Sequence, residues 1–390
     1  MLSTGDARVW CAGTDVCLLF LVVVEYCYRG PMKHRLPVHN SRRNFESMRI
    51  EDVLIHRVGG TYTGPGFPDG DRQANSMDIY PESNRHGTAI GGSPGKALSA
   101  YYLEIIPEQG PSGLWGPIES YQTHTILTVL RPYLLGRDSL AIELLHDQML
   151  RLDRHGRSGY FMTAVSAVDC ALWDLKGKAW EQPVYRLLGG PTRPAVPVYA
   201  SMLGFSIEPD SAATVAAEYA QMGYGAQKWF FRHGPGDGEA GKARNLAMAA
   251  AVREAVGPAY KLMFDAFMGW DTAYAVEMVR GLAPLNPTWM EEPVPPERLS
   301  ALRRIRNASS VPVATGEHVY TRWQTAELLT NEAVDLLQTD PDWTGGISEQ
   351  VKICALASSF DVPVVAHGHS LLPALHVAGA QPPSTVPFVE

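Results

Sequence analysis

Two hydrophobic rhythms divide the chain. From Met48 to Pro194 the pattern is mixed. Ile50 to Val58 reads as a strand, and Ser99 to Ile106 (SAYYLEII) as a second. Between them, Gly59 to Gly95 is crowded with Gly, Pro, Asp and Asn, which predicts a long, mobile loop region. A loop of that length is uncommon unless it is a lid or a binding loop. Thr163 to Trp180 places Ala164, Val168, Ala171, Leu172 and Leu175 at helical spacing, which predicts one buried helix. Gly189-Gly190-Pro191 then punctuates a boundary.

Beyond that boundary short β-rich runs alternate with amphipathic stretches. Strands are predicted near Val196–Met202, Gly225–Phe231, Tyr260–Ala266, Thr288–Glu291, Val311–Glu317, Val334–Asp340, Val362–His367 and Val386–Glu390. Asp271 is a good N-cap for a helix whose Ala275, Met278, Val279 and Leu282 share a face. Ser348 to Phe360 repeats the pattern through Val351, Ala355 and Ser358. Eight strands with helices between most of them suit an α/β barrel of TIM type better than an open sheet. The expected division is an extension at 1–47, an α+β domain at 48–194 and a (β/α) barrel at 195–390.

Composition narrows the picture. The chain has 390 residues, enough for a barrel plus a second domain, and 45% hydrophobic against 19% charged residues is a normal globular balance. A net charge of −8 with no long basic run argues against a nucleic-acid partner. Five cysteines occur without a CxxC or Cys/His cluster, so neither a zinc site nor a disulfide framework is expected, and a reducing, cytoplasmic compartment is. Val16 to Val24 (VCLLFLVVV) is too short to span a bilayer as a helix, so no membrane partner is expected. It is read as an extension upstream of a more natural start near Met48, in preference to a targeting segment. GGSPGK at Gly91 to Lys96 is not a phosphate loop: Ile90 stands where Gly is required, and no Ser or Thr follows Lys96.

The chemistry is concentrated at the strand ends. Lys228, Asp265, Glu291, Glu317, Asp340, His367 and Glu390 stand there, and from Asp265 onward the intervals are 26, 26, 23, 27 and 23 residues. One β/α unit takes about 30 residues when eight fill about 250. Each strand therefore delivers one polar side chain to a common rim, the end where barrel active sites lie. Three carboxylates on adjacent strands repel one another unless a cation joins them. Ligation by carboxylates alone favours a hard ion, Mg²⁺ first and Mn²⁺ second.

FDAF around Asp265, WMEEP around Glu291, TGEH around Glu317, LQTD…GG around Asp340 and VAHGHS around His367 resemble the mandelate racemase subgroup of the enolase superfamily. The likeness runs from about Met48 to Glu390. It implies an α+β capping domain followed by a modified (β/α)7β barrel. It also implies metal ligands Asp265, Glu291 and Glu317, a supporting role for Glu292, an Asp340–His367 dyad, and Glu390 as a hydrogen-bonding group at the enolate. LLHDQML, VDCALWDLKGK, PVYRLLGG and the Lys228…GPGDG spacing are similar to the rhamnonate dehydratases and related acid-sugar dehydratases. WFFRH at Trp229 to His233 departs from them. The resemblance also carries the expectation of a homo-oligomer acting on a small sugar acid.

A proton beside a carboxylate is too weakly acidic for an unaided base, so the enediolate needs electrostatic stabilisation. A cation on the three carboxylates, Lys228 and Glu390 would supply it, with Asp340 orienting His367 and raising its basicity. Racemases of the subgroup carry Lys-x-Lys at the second strand end; here Trp229 and Phe230 follow Lys228. With one base, elimination of water is easier than redelivery of the proton to the opposite face. Arg85 and Tyr80 from the cap, with His318 and Arg232 from the barrel, are candidates to bind the rest of the substrate. Trp270 and Trp343 are candidate pocket walls. A racemase or epimerase, and a barrel that binds acid sugars without turnover, are the rival readings.

Overall fold

Alternation at a two-residue period builds the first sheet. In strand β2 (Ala97–Pro107) Leu103 and Ile105 are fully buried while Glu104 between them is not. It pairs antiparallel with β1 (Ile50–Thr61) on one side and β3 (Gly113–Ile118) on the other. The helix Gly159–Ala179 lies on this sheet with Ala164, Val168, Ala171, Leu172 and Leu175 buried, as the spacing predicts. The computed structural model describes residues 48–62, 73–80, 95–369 and 371–390. The expected extension at 1–47, Arg85 and most of GGSPGK lie outside the described residues.

Two corrections concern Gly59 to Gly95. Gly59 to Thr61 continue β1, paired with Ala97 to Ser99, so the irregular region starts later than predicted. Residues 73–80 are docked: Ala74 is buried and its N–H donates to Phe231 O at 2.7 Å. Asn75 then caps the short helix Ser76–Ile79 by accepting from Met77 N.

The second unit is a ring of staves. Strands β4 (Ala200–Ser201), β5 (Ala226–Phe230), β6 (Lys261–Asp265), β7 (Trp289–Glu291), β8 (Val313–Thr315) and β9 (Leu336–Leu337) form one parallel sheet in chain order. The two remaining predicted strands are reduced to bridges, Leu337 with Val364 and Val198 with Val389. Ring closure is nevertheless continuous. Val365 N donates to Leu337 O, Val364 N to Thr385 O and Val389 N to Pro197 O. Helices Pro209–Gln221, Gly238–Val256, Thr272–Leu282, Leu299–Arg306, Thr321–Thr330, Gly346–Ser358 and Leu371–Ala380 surround them. Asp271 does cap Thr272–Leu282, through Tyr274 N at 2.8 Å. No helix among the described residues is long and apolar enough to cross a membrane.

Inside the ring sits an apolar plug with one residue from each stave: Tyr199, Ala226, Met263, Trp289, Ala314, Leu336, Val365 and Phe388. The alternate positions, among them Trp229, Phe264, Met290, Val313, Leu337, Val364 and Val389, face the helices.

The cap grips one barrel loop. Gly345 N donates to Ser166 Oγ, Ser348 N to Asp169 Oδ2 and Trp173 Nε1 to Ser348 Oγ, all at 2.9 Å. Gly346 is at φ +88°, and a Cβ there would meet Asp169 Oδ2 at 2.3 Å, so only glycine lets the two units approach this closely. Complete burial pushes Asp169 up to about 7, against hydrogen bonds from Ser348. Its folded value lies above its unfolded one, so its contribution to stability is intact below about pH 4 and is lost as pH rises through about 7. Asp169→Asn is expected to gain on the native protein by about 1.4 kcal/mol per pH unit between pH 4 and 7 and to plateau above. Denaturant unfolding of both proteins across that range measures it; a pH-independent difference would contradict it.

Candidate active site

The side chains two residues beyond the apolar plug define the next inward layer, because strand side chains repeat every second residue. From Tyr199, Ala226, Met263, Trp289, Val365 and Phe388, that step gives Ser201, Lys228, Asp265, Glu291, His367 and Glu390. On β8 it gives Gly316, at φ +144°, where a Cβ would meet Gln338 N at 2.7 Å; Glu317 follows it. The strand register thus converts a hydrophobic ring into a polar one directly above it.

Lys228 is the centre of that ring. It is buried, and its Nζ lies 2.6 Å from Glu291 Oε1, 3.0 Å from Glu390 Oε2 and 3.6 Å from Asp265 Oδ2. Burial disfavours its charge, but Glu291 and Glu390 overcome this and raise its pKa well above the usual lysine range. The second oxygen of Glu291 accepts from Trp289 Nε1 at 2.9 Å. Glu390 Oε2 also accepts from Tyr199 Oη and Gly368 N. Burial pushes Glu390 up, yet Lys228, His367 and a Ser201 hydrogen bond hold it down at about 2.

His367 faces this group from across the ring. Its Nδ1 is 3.3 Å from Asp340 Oδ2 and its Nε2 is 3.5 Å from Glu317 Oε2. Burial works against an imidazolium there, but Glu317, Asp340 and Glu390 push it up to about 10. His318 Nε2 lies 3.1 Å from Glu317 Oε1. Burial would raise Glu317; His367 and His318 outweigh it and the group is lowered.

Glu292, expected in a supporting role, is brought toward the site by its backbone. Alternation alone would turn it away from the ring. At φ 40°, a conformation costing about 1–3 kcal/mol, the chain kinks instead. Glu292, Glu317 and His318 each bring one ligand atom within 4.8 Å of the others. Glu292 Oε1 accepts from Thr315, while Oε2 is buried with no hydrogen-bond partner. Burial and then Glu317 raise Glu292 well above the usual carboxylate range; burial and then Glu291 do the same to Asp265.

A cavity of about 250 Å³ opens over this floor, lined by Ser201, Leu203, Lys228, Phe230, Asp265, Phe267, Glu317, His367, Gly368 and Glu390. Of the residues singled out by sequence, Lys228, Asp265, Glu317, His367 and Glu390 line it directly. Glu291 lies beneath Lys228, and Asp340 stands behind His367. Arg232 and His318 are not in the lining; His318 is stacked on Trp343, with ring centroids 5.4 Å apart. Tyr80 is half exposed at the end of the docked cap segment. Trp270 is a correction: it is buried, donates to His233 O and packs on Phe231 and Tyr274, so it builds the core and not the pocket. Trp343 does reach the site, 4.9 Å from the His367 ring. A hollow of about 310 Å³ near Arg306 and Asp335 lies at the opposite end of the strands, remote from these groups.

Residues 210–388 match the enolase C-terminal domain-like family, and residues 108–189 match the mandelate racemase / muconate lactonizing enzyme N-terminal domain. The chain is 34% identical over 306 residues to an L-rhamnonate dehydratase of Saccharopolyspora erythraea, covering 77% of this chain and 75% of that one. It is similar to the crystal structure of a rhamnonate dehydratase from Gibberella zeae complexed with Mg, at TM-score 0.74 and 28% identity, covering 88% and 83% of the two chains. It is also similar to a racemase from Streptomyces coelicolor A3(2) with bound magnesium, at TM-score 0.70 and 26% identity, covering 87% and 88%.

Proposed function

Because this chain belongs to the enolase superfamily, with the cap and barrel of its mandelate racemase / muconate lactonizing branch, we propose that it is a magnesium-dependent dehydratase of an acid sugar. The reaction would convert an aldonic acid to its 2-keto-3-deoxy acid. The observation that carries this reading is Phe230. It is buried, lines the cavity, and sits two residues after Lys228, where a second base would face the substrate from the side opposite His367. Lys228 Nζ lies 5.4 Å from the Phe230 ring, an apolar wall that can neither take nor return a proton. One acid/base group suits elimination and not inversion.

The donor set suits a divalent cation. Asp265, Glu291 and Glu390 crowd one lysine with Glu292 and Glu317 nearby, Asp265 and Glu292 are raised by burial and repulsion, and Glu292 Oε2 has no hydrogen bond, its nearest cation being His318 Nε2 at 3.9 Å. That is a deficit of positive charge in a site dominated by carboxylate oxygens, which a hard ion meets. Asp265, Glu291 and Glu317 would hold it, with Glu292 and His318 beside them. When bound, magnesium supplies Lewis-acid polarisation of the substrate carboxylate. Neutral His367, oriented by Asp340, takes the proton from the carbon beside the carboxylate. Lys228 and Glu390 fix the position of the carboxylate end. His367 then returns that proton to the departing hydroxyl on the next carbon. The C–H and C–O bonds break, a C=C bond forms, water leaves, and the enol ketonises.

Incubating the magnesium-loaded protein in D₂O with a panel of aldonic and aldaric acids tests this. The expected result is a 2-keto-3-deoxy acid carrying deuterium at C3. Deuterium at C2 without loss of water would make it a racemase or epimerase, and absence of both exchange and product would leave a binding protein.

A further inference from the structure

Beside the cavity, with its imidazole one residue past Gly368 of the cavity wall, stands a second carboxylate–imidazole pair that this mechanism does not use. Asp340 and Asp342 are two residues apart, as are His367 and His369, and the two pairs lie side by side. Asp342 is buried, and every polar atom of its side chain is engaged. Its Oδ1 accepts from Trp115 Nε1 of the cap sheet at 2.7 Å, and its Oδ2 accepts from His369 Nδ1 at 2.5 Å. Its backbone N–H donates to Asp340 Oδ1 at 2.6 Å. Because the Nδ1–H of His369 is committed to Asp342, its other ring nitrogen is left for a ligand. About a third of the His369 side chain, 32%, is exposed.

The rings share one platform. Trp343 has its ring centroid 4.8 Å from His369, 4.9 Å from His367 and 5.4 Å from His318. His367 and His369 are nearly parallel, at 18°, with centroids 6.4 Å apart. That displacement decides what His369 can reach. C–C bonds of about 1.5 Å set at tetrahedral angles advance an extended chain by about 1.3 Å each, so 6.4 Å spans about five bonds. With His367 at the carbon beside the carboxylate, His369 addresses a substituent near the far end of a six-carbon acid, not the hydroxyl that leaves. Burial disfavours charge on His369, but the Asp342 hydrogen bond outweighs it and raises the group, which suits a hydrogen-bond donor to an oxygen.

We propose that His369 is a specificity-determining residue that hydrogen-bonds the distal oxygen of a six-carbon sugar acid, with Asp342 and the cap residue Trp115 as positioning residues behind it. The proposal rests on the reading of the cavity as an acid-sugar site. It gives the cap a role beyond closing the barrel: its indole sets the imidazole that measures substrate length.

The test is binding by calorimetry to the magnesium-loaded protein, using a panel of six-carbon aldonates that includes D-gluconate, and D-glycerate as the truncated acid. The native protein is expected to bind its best six-carbon acid more tightly than glycerate by about tenfold or more, the worth of one well-made hydrogen bond. His369→Asn should lower that ratio about tenfold, and Trp115→Phe should lower it in the same direction by about threefold. His369→Gln replaces the Asn variant if the latter lacks a native unfolding transition. A ratio unchanged by His369 substitution, or no length preference in the native protein, overturns the proposal. Keto-acid release, followed in the same samples, reports separately on the dehydratase reading. A length preference without product would remove that reading and leave His369 in its role.

Discussion

His367→Asn is expected to lower kcat by about 10³-fold or more, with a much smaller change in KM. General acid–base groups contribute about 10²- to 10⁴-fold, and His367 serves as both base and acid here, so its loss falls toward the upper end. Among the described residues no second imidazole lines the cavity. Phe230 covers the opposite wall, and His318 is turned onto Trp343, outside the cavity lining. Asparagine keeps a polar contact for Asp340, whose Oδ2 would otherwise face a buried void. Solvent-deuterium incorporation at C3 should vanish together with product. The acid limb of kcat/KM against pH should vanish too, since the base must be deprotonated to act. A variant that still forms product at the native rate would place the base elsewhere.

Removal and restoration of the cation should give the second large effect. Dialysis against a chelator is expected to lower activity by more than about 10³-fold, because electrostatic stabilisation of the developing charge is usually the largest catalytic contribution. Added Mg²⁺ should restore it. The sign of the accompanying proton change follows from the site. Without a cation, burial and carboxylate neighbours raise Asp265 and Glu292, and His367 is pushed up to about 10, so His367 carries its proton near pH 7. A divalent cation beside them favours their deprotonated forms, so loading at pH 7 must release protons. A weakly buffered solution with a pH indicator will read this; proton uptake, or none, would refute the charge-deficit account. Glu291→Gln and Glu292→Gln, titrated with Mg²⁺, then separate their parts. Glu291 already answers to Lys228 and Trp289, whereas Glu292 Oε2 has no hydrogen bond and only His318 at 3.9 Å, so both losses of affinity bear directly on which carboxylate holds the ion.

Much of the site was legible because a strand is a two-residue repeat and the barrel a repeat of about 30 residues. The spacing from Asp265 to Glu390 announced one rim before any coordinates, and the WMEEP, TGEH and VAHGHS strings identified its family. The last two staves were legible as apolar runs, Val362–His367 and Val386–Glu390, but not as bridges. How much ladder they form depends on neighbours far away in the chain. Trp270 and Trp343 both follow strand ends, and nothing local told the core tryptophan from the pocket one.

What the sequence determined alone is the periodic part: the alternation that puts Ala226 below Lys228 and Met263 below Asp265, and the acidic set that demands a counter-charge. These are local facts, fixed by bond geometry and by the cost of crowding like charges. What only the tertiary structure decided is every contact made across long sequence separation. The Trp115 indole meets Asp342 across 227 positions, the kink at Glu292 is held by strands on either side of it, and Ala74 of the cap docks on Phe231. Such pairs leave no periodic trace, because each is selected by the packing of two finished units and not by the chain that runs between them.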